Sequence, residues 1–283
     1  MAYQTLIDPR TLHGQLGNPD WVIVDCRFNL MDTEAGRRAY RENHLPGAHY
    51  AHLDEDLSDP ITPDSGRHPL PDPRRLAQTL GAWGIGPHTQ VIAYDDSNGS
   101  IAARLWWLLG WLGHTRRAVL DGGFATWRRL GLPVDVEVPK PLPQPFTGHA
   151  NDSLWVTNAV ILDTVVNGAE LLMDARATAR YRGEVEPIDT QAGHVPNALS
   201  APLDQNLDGD GRFLSPDALR NRFTPLIGER DPKSVLHMCG SGVTACHNLL
   251  AMEIAGLPGS RLYAGSWSEW IRDPARPIAT GDA

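Results

Sequence analysis

Cys239-Gly240-Ser241-Gly242-Val243-Thr244-Ala245 follows the apolar run Ser234-Val235-Leu236-His237-Met238. The run predicts a short buried strand, and Ala245 to Ala255 carries apolar residues at helical spacing. Cys239 is therefore expected at the carboxyl end of a strand, in a glycine-rich turn that opens a helix. Backbone N–H groups converge in such a turn and the helix dipole adds partial positive charge, so Gly240, Ser241, Gly242, Val243 and Thr244 read as an anion cradle. A thiol held there is expected to ionise readily and to act as a nucleophile. Small residues fill the turn where packing would want bulk, which argues against a plain buried cysteine.

The chain is written twice. Trp21-Val22-Ile23-Val24-Asp25-Cys26-Arg27 corresponds to Glu170-Leu171-Leu172-Met173-Asp174-Ala175-Arg176, and His44-Leu45-Pro46-Gly47-Ala48 to His194-Val195-Pro196-Asn197-Ala198. Val91-Ile92-Ala93-Tyr94-Asp95 then matches Val235-Leu236-His237-Met238-Cys239, and Leu120 to Trp127 matches Tyr263 to Trp270. The order is the same in both halves. Between them lies Pro139-Lys140-Pro141-Leu142-Pro143-Gln144-Pro145, a stiff extended stretch that cannot continue a helix. The expected domains are 1–138, a linker 139–153, and 154–283. Strand-like runs alternate with helical patterns, as at Val91 to Tyr94 before Ile101 to Leu112. Each half is thus expected to be α/β, with a central mostly parallel sheet flanked by helices and ligands beyond the carboxyl ends of its strands.

The repetition separates scaffold from chemistry. Asp25 and Asp174, Arg27 and Arg176, and His44 and His194 occur in both copies and are read as structural. The cysteine of the turn occurs once, with Asp95 in its place in the first half, so that half reads as catalytically silent and the cleft between halves as the place of one active site. The Trp-rich segment Arg104 to Leu112 has the spacing of a core helix.

Composition sets the outer bounds. A 283-residue chain with 41% hydrophobic and 21% charged residues is that of a globular protein of one large or two ordinary domains. A net charge of −9 argues against a nucleic-acid partner. No run of about 18 apolar residues suggests a membrane span, and Met1 to Pro9 lacks the pattern of a signal peptide. Three cysteines, Cys26, Cys239 and Cys246, are too few for a disulfide framework, which predicts a cytoplasmic protein.

The duplicated Asp-x-Arg strand ends, the His-x-Pro-x-Ala segments, the Cys-Gly-Ser-Gly-Val-Thr loop and Tyr263-Ala264-Gly265-Ser266-Trp267-Ser268-Glu269-Trp270 together resemble the two-domain rhodanese-type sulfurtransferases, over nearly the whole chain. That family includes thiosulfate sulfurtransferase and 3-mercaptopyruvate sulfurtransferase. The resemblance implies two tandem rhodanese-like domains and a Cys239 that takes a sulfane sulfur from a small anionic donor as a persulfide. The sulfur then passes to cyanide or to a thiol, thioredoxin-like proteins included. It implies no metal and no organic cofactor. Arg180 is placed as the residue that binds the donor's acidic group, and Arg182 is read as a surface ion pair. A relay of Ser241, His68 and Asp54 or Asp56 is implied for the mercaptopyruvate branch. The uncharged loop resembles that branch, whereas thiosulfate enzymes commonly carry basic residues at the places of Gly240 and Ser241. In one respect the chain departs from it: a second arginine usual after Glu-Pro is absent, since Glu186-Pro187 is followed by Ile188-Asp189-Thr190.

Other chemistries fit less well. A cysteine phosphatase needs an arginine six positions after its cysteine, where this chain has Ala245. Zinc would need His237, Cys239, Cys246 and His247 to converge, but a strand end and the following helix should splay them. Gly122-Gly123 is no dinucleotide fingerprint. Thiosulfate as donor, or a persulfide carrier with little small-molecule turnover, remain open alternatives on the same loop.

Overall fold

The computed structural model describes residues 2–282. The chain forms two compact units, one of Met1–Asp59, Leu70–Asn151 and Asp210–Arg212, the other of Pro60–Pro69, Asp152–Gly209 and Phe213–Ala283. The range 1–138 expected for the first domain includes Pro60–Pro69, which belongs spatially to the second unit. Its anchor there is local: Arg67 N–H donates to Ser268 Oγ at 2.9 Å, and Gly66 lies so close to the Gly265 carbonyl that a Cβ would sit 2.4 Å from it.

The first unit runs β1 (Leu6–Ile7), α1 (Pro9–His13), β2 (Trp21–Asp25), α2 (Ala35–Glu42), β3 (His49–Tyr50), α3 (Pro73–Ala82), β4 (Gln90–Tyr94), α4 (Ala102–Trp111), β5 (Arg117–Leu120) and α5 (Gly123–Arg129). The second runs β6 (Trp155–Val156), α6 (Asn158–Asn167), β7 (Leu171–Asp174), α7 (Thr178–Tyr181), β8 (Leu199–Ser200), α8 (Pro216–Ile227), β9 (Val235–Met238), α9 (Ala245–Ile254), β10 (Arg261–Tyr263) and α10 (Ser266–Trp270). The sheets are ordered β1-β5-β4-β2-β3 and β6-β10-β9-β7-β8, and every pairing is parallel. The two halves therefore repeat one topology, as the doubled sequence requires.

Helix starts follow from side chains that cap and residues that cannot donate. Asp8 and Asp72 accept the first-turn N–H groups of α1 and α3, Ser215 does so for α8, and each is followed by proline at the first helical position. The central strands β4, β7 and β9 are buried at every position, because helices cover both sheet faces. Trp106, Trp107 and Trp111 of α4 are all buried, so the Trp-rich segment is a core helix.

The residues shared by both halves build matching scaffolds. Arg27 and Arg176 each place Nη2 2.6 Å from the preceding aspartate, Asp25 or Asp174. The same guanidiniums lie over Phe124 and Trp267 at 4.3 and 4.6 Å. His44 stacks on Tyr40 and His194 on Tyr181, with ring centroids 4.0 and 3.8 Å apart. Burial pushes both tyrosine hydroxyls up to about 12, so they stay neutral and donate to the carbonyls of Ala48 and Ala198. Removing one partner from either buried Asp–Arg pair would leave an uncompensated charge, which fits a structural role for Asp25, Arg27, Asp174 and Arg176. Among the described residues no helix is long and apolar enough to cross a membrane.

Candidate active site

β9 carries Cys239 just past its last residue, and the turn from Gly240 to Thr244 leads into α9. Cys239 is buried, at 1% exposure. Its backbone is fixed on both sides: its N–H donates to Ser266 Oγ at 3.1 Å and its carbonyl accepts from Trp267 N–H at 3.0 Å. The Gly240 carbonyl accepts from Ser268 N–H at 2.8 Å. The turn bends back so that Gly242 N–H donates to Cys239 Sγ at 3.1 Å. Gly242 makes this possible, since its φ is 76° and a Cβ would meet the Ala264 carbonyl at 2.2 Å.

The first copy shows what this turn does when a carboxylate takes the cysteine's place. Asp95 accepts from Ser97 and Gly99 at 2.9 and 2.8 Å, and from Ile101 and Ala102 at 2.8 Å each. Four N–H groups thus close on one anionic side chain. The counterparts of Ser97 and Gly99 are Ser241 and Val243, whose N–H groups carry no hydrogen bond among the described residues.

Ser241 and His68 are both buried, and His68 Nδ1 lies 2.7 Å from Ser241 Oγ. The other relay candidates sit in the first unit. Asp54 is exposed and its N–H donates to His52 Nδ1 at 3.2 Å. The Asp56 carboxylate accepts from the His52 N–H at 2.8 Å.

Arg180, on α7, stands beside the turn: a Cβ on Gly240 would lie 3.7 Å from its Nη1. Its other nitrogens are taken. Nε donates to both Glu186 oxygens at 3.1 Å, and Nη2 donates to Glu186 at 2.7 Å and to Asp189 at 3.0 Å. Burial alone would raise the Glu186 carboxyl. Its bonds to Arg180 and to the N–H groups of Asp189 and Ile188 outweigh that and hold it below its usual range. Arg182 pairs with Asp282 at 2.6 Å, the surface ion pair expected of it.

Three residues of this site escaped the reading of the sequence. Arg67 donates to Asp189 at 2.6 Å, and Ser266 and Ser268 brace the cysteine turn. The serines lie inside the Tyr-x-Gly-Ser-Trp-x-Glu-Trp motif, whose regularity was a signal. Arg67 directly precedes His68, which was the available clue. A cavity of about 470 Å³ opens beside Arg67, with Ile61, Ile188, Asp189, Ser268 and Arg272 among its walls.

The zinc candidates do not share a centre. His237 Nε2 faces Met252 Sδ at 3.1 Å, His247 stacks on Phe213, and Cys246 Sγ donates to the Gly242 carbonyl. Glu34, His52 and Glu55 do lie close together in the first unit. Arg37 pairs with both glutamates there, and His52 Nε2 lies 3.0 Å from the Thr33 carbonyl.

Comparison with known proteins agrees with this geometry. The rhodanese-like domain family matches residues 8–130 and 159–273. The chain is 49% identical over 284 residues to a probable 3-mercaptopyruvate sulfurtransferase of Pseudomonas aeruginosa, with all of both chains covered. It is 38% identical over 283 residues to a putative thiosulfate sulfurtransferase of Mycobacterium tuberculosis, covering 99% of this chain and 98% of that one. The solved 3-mercaptopyruvate sulfurtransferase from Leishmania major superposes with a TM-score of 0.82 at 30% identity, covering 94% of this chain and 74% of that one.

Proposed function

The chain belongs to the rhodanese family of sulfurtransferases, and from that premise we propose that it moves sulfur from 3-mercaptopyruvate to an acceptor through a persulfide on Cys239. The Cys239 thiolate attacks the donor sulfur and an S–S bond forms. The donor's C–S bond breaks and its electron pair leaves on carbon, as the enolate of pyruvate. The donor's thiol proton passes to that carbon, giving pyruvate and an anionic persulfide. A thiol acceptor then attacks the outer sulfur and restores the Cys239 thiolate; cyanide accepts the same atom as thiocyanate.

The observation that carries this reading is the bond from Gly242 N–H to Cys239 Sγ at 3.1 Å, in a turn whose silent copy binds a carboxylate through four N–H groups. Such donors stabilise negative charge on thiolate and persulfide alike. Arg180 binds the donor's acidic group, and Ser241, oriented by His68, donates to the departing enolate. Asp54 is assigned as the relay's acidic member on the sequence match, and Asp54→Asn tests it in the same assay. Around Gly240 the guanidiniums of Arg67 and Arg180 face the carboxylates of Glu186 and Asp189. That local balance suits a singly charged carboxylate better than doubly charged thiosulfate.

Three free, buried cysteines suit a reducing compartment, so we place the protein in the cytoplasm, with a cellular thiol, thioredoxin-like proteins included, as acceptor. The test compares kcat/KM for mercaptopyruvate and thiosulfate with a small thiol acceptor, alongside Cys239→Ser. The reading expects pyruvate release, a preference for mercaptopyruvate, and one added sulfur on Cys239 by mass spectrometry. Sulfur uptake in stoichiometric amount without turnover would instead make the protein a carrier.

A further inference from the structure

The geometry assigns Arg67 as the second guanidinium of the donor clamp, set opposite Arg180 and reading the carboxylate of an α-keto acid. This rests on the sulfurtransferase reading above and names a residue for the one clamp position that the segment after Glu186-Pro187 leaves without an arginine. Asp189 fixes the pair: one carboxylate oxygen accepts from Arg67 Nη1 at 2.6 Å and the other from Arg180 Nη2 at 3.0 Å. Each guanidinium is thus turned by the same acid, and each keeps a terminal nitrogen out of that bond.

Those remaining nitrogens lie beside the cysteine turn, Arg180 Nη1 at the same distance from a Cβ on Gly240 as its bonded neighbour Nη2. A Cβ on Gly240 would lie 3.2 Å from Arg67 Nη2 and 3.7 Å from Arg180 Nη1. Neither nitrogen carries a hydrogen bond among the described residues, and Arg67 Nε is buried without a partner. Two unbonded donors from different backbone segments, both near Gly240, can close as a fork on a planar carboxylate. The absence of a side chain at Gly240 leaves the space that the Arg67 guanidinium approaches.

The backbone of Arg67 is held as firmly as its side chain. Ser268 Oγ accepts its N–H, while Ser268 N–H donates to the Gly240 carbonyl. One serine therefore ties the arginine's backbone to the residue next to Cys239. Charge at the end of a flexible stem is costly to position, and this bracing limits that cost before a donor arrives.

Pyruvate, which keeps the α-keto acid and lacks the sulfur, is the probe. Its binding is titrated calorimetrically into Cys239→Ser protein, with and without Arg67→Gln and Arg67→Lys, and donor kinetics are measured in the Cys239 background. The assignment expects Arg67→Gln to weaken pyruvate binding roughly tenfold to a hundredfold and to raise KM for mercaptopyruvate similarly, with kcat changed far less. Arg67→Lys keeps the charge and recovers part of the loss, which a merely unfolded variant would not. Pyruvate affinity and KM within about twofold of the parent would overturn the assignment and leave the sulfurtransferase reading standing. Weakened pyruvate binding in a protein that transfers no sulfur would uphold the clamp and end that reading.

Discussion

His68 Nδ1 lies 2.7 Å from Ser241 Oγ, although 173 positions of sequence separate the two residues. Both side chains are buried, so neither meets bulk water as a competing partner. A hydroxyl held this way presents a defined donor direction, the condition for general acid assistance to a leaving enolate. Replacing His68 by Gln, or Ser241 by Ala, should lower kcat roughly tenfold to a hundredfold. Persulfide should still form on Cys239, but more slowly, because the thiolate can attack without that hydroxyl while the departing enolate loses its donor. Stopped-flow pyruvate release with mass spectrometry of the single-turnover product checks both halves of this expectation. Unchanged kinetics in His68→Gln would remove the pair from the reaction.

Gly242 governs the shape of the turn that follows Cys239. Its φ of 76° lies in the left-handed region, and a Cβ would come within 2.2 Å of the backbone oxygen of Ala264. An alanine there strains the turn by about 1–3 kcal/mol and forces the backbone to shift, because the clashing atom cannot swing away. A displacement of about 1 Å between reacting groups costs on the order of a hundredfold in rate. Gly242→Ala should therefore lose most of its kcat/KM for either donor while showing only a modest fall in Tm. Full activity in that variant would mean that the Gly242 N–H bond to Cys239 Sγ is dispensable.

The parts of the molecule that were legible in sequence are those written by local chemistry. The strand-turn-helix around Cys239 followed from the apolar run Val235 to Met238 and the small residues after it. The scaffold role of Asp25, Arg27, Asp174 and Arg176 followed from their occurring twice, and the matched 2.6 Å pairs supply the physical reason. What sequence did not disclose are pairings between distant segments. The segment Ile188-Asp189-Thr190 reads as a loss, a stretch without the usual arginine, whereas in space its Asp189 joins Arg67 to Arg180. Arg67 and Asp189 are 122 positions apart, and no periodicity encodes such a meeting. Nor does periodicity tell that Pro60–Pro69 leaves the first unit, because a short proline-bounded loop carries no pattern of its own.

His237 makes stability depend on pH. It is fully buried in β9, with Nε2 facing Met252 Sδ and Nδ1 without a partner among the described residues. Burial, reinforced by the positive charge of Arg222, lowers it from 6.5 to about 3. Below about pH 6.5 the unfolded chain takes up a proton at this residue and the native protein does not, until the pH nears about 3. Stability is therefore lost as pH falls through that window, by about 2 kcal/mol at about pH 5 from this group alone. His237→Leu keeps the site buried and removes the proton. The drop in the guanidinium unfolding midpoint between about pH 7 and about pH 5 should be smaller in the variant. An equal drop in both proteins would show that the histidine is not the group responsible.

Gly240 is where donor preference is most open to change. A Cβ there would lie 3.2 Å from Arg67 Nη2, the tip of a side chain that can move, so a longer residue is admitted at the cost of displacing Arg67. Gly240→Arg puts a basic group on the turn itself, as the thiosulfate-type loop does, and pushes aside the guanidinium assigned to the carboxylate. Two consequences follow from the change of charge and place. The local balance shifts toward positive, which favours a doubly charged donor, and the fork for a planar carboxylate is broken. The ratio of kcat/KM for thiosulfate to that for mercaptopyruvate should rise roughly tenfold or more, mainly through a higher KM for mercaptopyruvate. Parallel assays of parent and variant, with the same thiol acceptor and with persulfide yield as the check on an intact Cys239, read this ratio directly. A ratio that stays put would show that charge beside Gly240 does not select the donor.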